Sequence, residues 1–187
     1  MEAIIISGMP AAGKTTVSNI LASKLGLKVI GAGDMLKEMA FEKGYTPGGD
    51  DWWDGPEGIK FAKERAENPD FDKEVDKRLT ERIKKGNVII TSYTAPWITE
   101  MGFKVWLSCS TTNRAKRMAE RDNTEIKETL GIVKIRDREN SRIYMNLYNI
   151  NFGRDLKPFN LIVETDNVPP EEVADMIIKK LKERERK

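Results

Sequence analysis

Histidine is missing from all 187 residues. That excludes Ser-His-Asp and Cys-His hydrolysis, histidine-ligated zinc and histidine proton shuttles. Cysteine occurs once, at Cys109, so neither an intrachain disulfide nor a cysteine metal cluster can form. In the apolar run FKVWLSC, Cys109 reads as a buried strand residue. No apolar run approaches the roughly 20 residues that span a bilayer, and no basic-then-apolar leader opens the sequence. A reducing cytoplasm is the expected compartment, without a membrane partner. Net charge is nearly absent too, with 32 Lys+Arg against 30 Asp+Glu. A dedicated nucleic-acid binder carries a clear basic excess, so nucleic acid is not an expected partner. Any chemistry must run on carboxylates, Lys, Arg, hydroxyls, backbone N–H groups or an added metal ion.

What is present is an ordinary globular composition, 39% hydrophobic, in a length that suits one domain. Short apolar runs alternate with helical stretches. Strands are predicted at Ala3–Ser7, Leu27–Gly33, Asn87–Thr91, Phe103–Ser108 and Phe159–Thr165. Helices are predicted at Thr15–Leu25, Met35–Lys43, Thr112–Glu120 and Glu125–Tyr148. Helical pattern also runs from about Ile59 to Lys85, interrupted at Asn68-Pro69-Asp70. A last helix opens at Pro169-Pro170-Glu171 and carries the stripe Val173, Met176, Ile177 and Leu181. Residues 44–58 read as loop. Continuous apolar strands alternating with helices mean a parallel sheet covered on both faces, an α/β fold. The stretch 34–85 is too long for a simple crossover and is expected to form a small helical lobe over the sheet's edge.

Gly8-Met9-Pro10-Ala11-Ala12-Gly13-Lys14-Thr15 matches G-x-x-x-x-G-K-[ST] at every fixed position. The motif follows a strand and opens an apolar-periodic helix, as its mechanism requires. Glycines let the backbone curl so that N–H groups point inward, and the helix N-terminus favours a polyphosphate. Together with Thr16, these residues are the expected nucleotide-binding set. Lys14 is placed on the β- and γ-phosphates of ATP and Thr15 on Mg²⁺.

With that motif in place, the chain resembles the nucleoside monophosphate kinase family of P-loop proteins, more closely archaeal cytidylate kinases and more loosely adenylate kinases. GMPAAGKTT resembles the family's nucleotide loop, and IGAGDMLKEMA its second-strand segment. AENPDFDKEVDKR is similar to the stretch around Glu-Asn-Pro in the archaeal enzymes, and FKVWLSCSTTNRAKRMAERD to the fourth strand and arginine-bearing lid helix. The resemblance implies a three-layer P-loop NTPase fold: a five-stranded parallel sheet, an acceptor-binding lobe at about 34–85 and a short lid at about 111–142. It implies ATP- and Mg²⁺-dependent phosphoryl transfer to a nucleotide, CMP or dCMP, by a monomer or homodimer. Two positions depart from the family pattern. Lys37 stands where relatives have an arginine for the acceptor phosphate. After the third strand, Thr91-Ser92-Tyr93 replaces their carboxylate-Gly-Arg.

Phosphoryl transfer needs positive charge around the transferring group. Residues 111–142 carry nine basic and six acidic side chains. Arg114, Arg117 and Arg121 share one helix face, and Arg136, Arg138 and Arg142 form a second set. Either Arg117, Arg121 and one or both of Arg136 and Arg142, which resemble the family's later lid-side arginines, close over the phosphates as catalytic residues, or the pair of helices is laced by salt bridges. On the acceptor side the candidates are Asp34, Lys37, Trp52, Trp53, Asp76, Arg78 and Tyr93. Asp34 is either an acceptor or metal partner or a helix N-cap. The tryptophans either stack on a base or anchor their acidic loop. Asp76 and Arg78 fall where relatives contact the acceptor base. A monophosphate acceptor is already anionic and needs no general base, whereas an alcohol acceptor benefits from a carboxylate such as Asp34. The alternatives to a nucleotide acceptor are an alcohol or unusual nucleotide, or ATP binding without catalysis.

Overall fold

A computed structural model describes residues 1–48, 52, 56–68 and 70–186. Five parallel strands run in the order β2-β3-β1-β4-β5. They are β1 (Ile4–Gly8), β2 (Lys28–Gly31), β3 (Val88–Thr91), β4 (Phe103–Ser108) and β5 (Leu161–Glu164). Ile4 of the central strand pairs with Ile89 on one side and Phe103 on the other. The alternation of a buried strand then splits its side chains between two cores. Ile4 and Ile6 pack with Val17 and Leu21 of α1 (Lys14–Leu25) and Ile177 and Leu181 of α8 (Pro170–Glu185). Ile5 and Ile90 pack with Met35 of α2 (Ala32–Glu42), Phe61 of α3 (Pro56–Glu67) and Leu79 of α4 (Asp70–Lys85). Burying one such side chain stabilises the fold by roughly 1.5–3 kcal/mol. A third, aromatic cluster joins Trp106 of β4 to Tyr144 and Phe152, with Met9, Tyr93 and Trp97 packed against it.

The remaining helices are α5 (Ala95–Ile98), α6 (Thr111–Asp122) and α7 (Ile126–Tyr148). Asn123, in a left-handed conformation, ends α6 where the break was expected.

Several boundaries differ from the sequence expectation. β2 stops at Gly31, two residues early, because Ala32 already opens α2. Asp34 is therefore not the N-cap. It is the third helical residue, and its carboxylate reaches back to accept the N–H of the true cap, Gly31, at 2.9 Å. α3 starts at Pro56, inside the expected loop, since a first-turn proline forfeits no helical hydrogen bond. β5 is shorter at both ends because Phe159 turns into the aromatic cluster and Thr165 into the phosphate loop. Met176 is 47% exposed, and Ala174 takes its place in the buried stripe. Cys109 lies one residue beyond β4 and is half-buried, its thiol pushed up to about 11 by burial and by Asp166.

Candidate active site

β1 delivers the chain to the carboxyl edge of the sheet at Gly8. A Cβ there would lie 2.6 Å from the Leu107 carbonyl oxygen, so only glycine lets β1 run this close to β4. Gly13, at φ 93°, turns the loop into α1. No side chain caps α1 and no acid occupies its first turn, which leaves its N–H groups and dipole available to an anion. Thr15 and Thr16 are exposed at this end. The loop from Pro10 to Thr16 lines a cavity of about 1310 Å³. That is ample for a nucleotide, since small-molecule pockets run to roughly 300–1,000 Å³.

The Lys14 ammonium donates to the carbonyls of Gly8 and Met9, both at 2.9 Å. Its third N–H remains for a ligand. It also lies 4.7 Å from the centre of the Tyr93 ring, a contact that favours the cation. Burial, reinforced by the charges of Arg136 and Arg114, nevertheless pushes Lys14 down to about 7. Tyr93 is itself held edge-on by Phe152, with ring centres 5.4 Å apart.

Three of the four predicted catalytic arginines line the cavity: Arg117, Arg121 and Arg136. Arg117 donates to the Thr165 hydroxyl at 3.2 Å and to its carbonyl. Arg121 also pairs with neighbouring Asp122 at 2.6 Å. Arg142 pairs with Glu139 at 2.9 Å and is not part of the cavity lining. Arg114 departs from the face its spacing suggests, being buried against Asp137 of α7.

On the acceptor side, Tyr93 alone of the predicted residues that the structure describes lines this cavity. Asp34 is exposed and Lys37 half-buried on α2. The Asp34 carboxylate and the Thr91 hydroxyl crowd Gly31 together, about 3 Å from where its Cβ would stand, at the ends of β2 and β3. Asp76, on α4, is 6% exposed and accepts from Thr94 at 2.6 Å and Tyr148 at 2.5 Å. Arg78 forks onto Glu42 at 2.8 and 2.9 Å, with Glu74 on its Nε. Trp52 packs on Phe61, ring centres 5.8 Å apart, as an anchored loop would. Trp53 lies outside the described residues. No group of three or more His, Cys, Asp or Glu able to hold a metal occurs among the described residues. An Mg²⁺ ion arriving with a polyphosphate would find the exposed Thr15 hydroxyl beside the loop. Sequence reasoning missed Thr94, Asp137, Tyr148 and Thr165, all of them reached by contacts between distant segments.

The family described as AAA domain matches residues 4–144. A protein of Pyrobaculum islandicum named cytidylate kinase is 35% identical over 167 residues, 88% of this chain and 84% of its own length. A cytidylate kinase of Pyrococcus horikoshii is 34% identical over 175 residues, 93% of this chain and 85% of its own length. Among solved structures, the shikimate kinase of Acinetobacter baumannii superposes with a TM-score of 0.61, covering 100% of this chain and 96% of the other, at 18% identity. That last likeness speaks to the fold alone.

Proposed function

The chain belongs to the cytidylate kinase family of P-loop proteins, and on that premise we propose that it transfers the γ-phosphoryl group of ATP to CMP or dCMP, giving the diphosphate and ADP. One observation carries the reading. Lys14, Arg117, Arg121 and Arg136 converge with the phosphate loop on a single cavity, and positive charge there is what this reaction needs.

The α1 N-terminus and the free N–H of Lys14 hold the nucleotide's polyphosphate. Arg117 reaches the same cavity from α6 and Arg136 from α7, closing charge over the transferred group. An oxygen of the acceptor phosphate forms the new P–O bond as the bond to the departing ADP oxygen breaks. No side chain has to take a proton, which suits a chain without histidine. Mg²⁺ supplies charge neutralisation on the phosphates when bound, with Thr15 as its protein donor. Asp34, Lys37 and Tyr93 face the acceptor. Asp76, Arg78 and Trp52 shape its side of the cleft through α3 and α4. Arg142 serves the closing helices from outside the cavity. Residues 34–85 act as the acceptor lobe and 111–142 as the lid of one domain, working in the cytoplasm.

ADP release measured across CMP, dCMP, UMP, AMP and GMP tests the assignment. Turnover highest with a cytidine nucleotide is expected. Turnover with none of them, or preference for another base, rejects it.

A further inference from the structure

We propose that Arg114 and Asp137 are positioning residues that hold the phosphate loop in its anion-binding conformation. The inference rests on the kinase reading and concerns the same site. Arg114 lies on α6 and is only 3% exposed. Its two terminal nitrogens fork onto the Asp137 carboxylate of α7 at 2.9 and 2.7 Å. One of them also donates to the Pro10 carbonyl at 3.3 Å, and the other to the Thr111 hydroxyl at 3.2 Å. Its Nε is buried without a partner, so these contacts alone fix where the guanidinium sits.

The Pro10 carbonyl shares a peptide unit with the Ala11 N–H. In a trans peptide the two point in opposite directions. Drawing the carbonyl toward Arg114 therefore turns the Ala11 N–H the other way, toward the cavity that Ala11 lines. The Thr165 hydroxyl meets the loop two peptides further on. Its one proton is shared between the Ser108 carbonyl at 3.0 Å and the Ala12 carbonyl at 3.4 Å, the latter in the peptide that ends in the Gly13 N–H. The loop needs such restraint, because Ala11 sits at φ 61°, a left-handed backbone that L residues rarely adopt.

Arg114 is not among the residues lining the cavity, so apart from its charge, which helps push Lys14 down, it acts on phosphate through the loop. Asp137 has a second effect. It follows Arg136 on α7, so its ion pair also fixes the part of α7 that brings Arg136 to the cavity shared with Lys14. The pair thus registers both closing helices to the loop. Lysine cannot replace the arginine, since one ammonium cannot fork onto a carboxylate and hold a carbonyl in the same plane.

The test compares Arg114→Met, Arg114→Lys and Asp137→Asn in the full chain. Three quantities are read: the dissociation constant of a fluorescent ATP analogue, ADP release at varied ATP and CMP, and the thermal midpoint. Arg114→Met and Asp137→Asn are expected to weaken analogue binding and lower kcat by roughly tenfold each, a misplacement effect. The KM for CMP should stay within about twofold. Arg114→Lys should recover only part of the loss. Unchanged analogue binding and kcat per folded molecule, with a lowered midpoint only, would overturn the proposal. If Arg114→Met does not fold, the nearly isosteric Asp137→Asn decides by the same readouts. If the unaltered protein turns over no nucleotide, the kinase reading fails. Analogue binding by the same variants then still decides whether this pair organises the loop.

Discussion

Removing one oxygen, by Tyr148→Phe, tests how the acceptor side of the cleft is held. The Tyr148 hydroxyl donates to one carboxylate oxygen of Asp76 at 2.5 Å, and Thr94 donates to the other at 2.6 Å. Burial and the Asp76 acceptor both push the tyrosine hydroxyl up, so it remains a donor at any assay pH. A hydrogen bond to a charged group is worth roughly 1.5–3 kcal/mol. Tyr148 is half-buried, and water partly replaces its donor, which places the loss in the lower half of that range. The expected cost is about 1.5–2 kcal/mol, or roughly 3–8 °C in Tm for a chain of this size. Thr94→Val exposes the same carboxylate from a fully buried side, at about 2–3 kcal/mol. The double variant should depart from additivity by at least about 0.5 kcal/mol, since both donors serve one acceptor. Urea and thermal denaturation, with the m-value unchanged, are the assays. A Tyr148→Phe protein within about 0.5 kcal/mol of the parent would refute the reasoning, because that is the range of a surface change.

Lys14→Met should lower kcat at least about 100-fold in an ADP-release assay, the scale of losing one preorganised donor. The Lys14 ammonium, pushed down to about 7 from its ordinary 10.5, is lost as pH rises through 7. The kcat/KM for ATP should therefore fall above that pH, and Lys14→Arg should abolish the descending limb. The same group has a folded-state pKa below its unfolded one. The unfolded chain thus binds more protons between about 7 and 10.5, and its contribution to stability grows as pH rises through that window; pH-dependent melting reads it. Gly8→Ala meets the Leu107 carbonyl at 2.6 Å and should cost about 1–3 kcal/mol together with ATP binding. Gly13→Ala has open space, with the nearest atom 3.7 Å away. It should cost about 1–2 kcal/mol through its backbone angle alone.

The fold was legible where local pattern suffices. β1 and β3 open on uninterrupted apolar runs, β4 is apolar but for Lys104 and its last residue, and the phosphate loop is a contiguous motif between a strand and an apolar-periodic helix. α5 escaped because four residues hold no helical period, although Pro96 near its start was a usable signal. The cap reading of Asp34 misses by one turn, since its carboxylate serves the Gly31 N–H from the third helical position. The site was half legible. Of the residues lining the cavity, Lys14 follows from the motif, Arg117 and Arg121 from helix spacing, and Arg136 from the family resemblance. The partners that hold them do not: Arg114 meets Pro10 across 104 residues, and Tyr148 meets Asp76 across 72. Helix spacing grouped Arg114 with the cavity arginines, but the acid that buries it sits on another helix. Sequence composition likewise hid that Trp52 would find Phe61 through a later helix.

The central claim is that this chain phosphorylates a cytidine monophosphate. The most direct measurement is the steady-state rate of ADP formation with CMP, dCMP, UMP, AMP and GMP under identical ATP and Mg²⁺, alongside Lys14→Met. The account predicts that CMP or dCMP gives the highest kcat/KM and that the variant is inactive. Equal or greater turnover with AMP or GMP, or CMP-dependent turnover that survives in Lys14→Met, would contradict it.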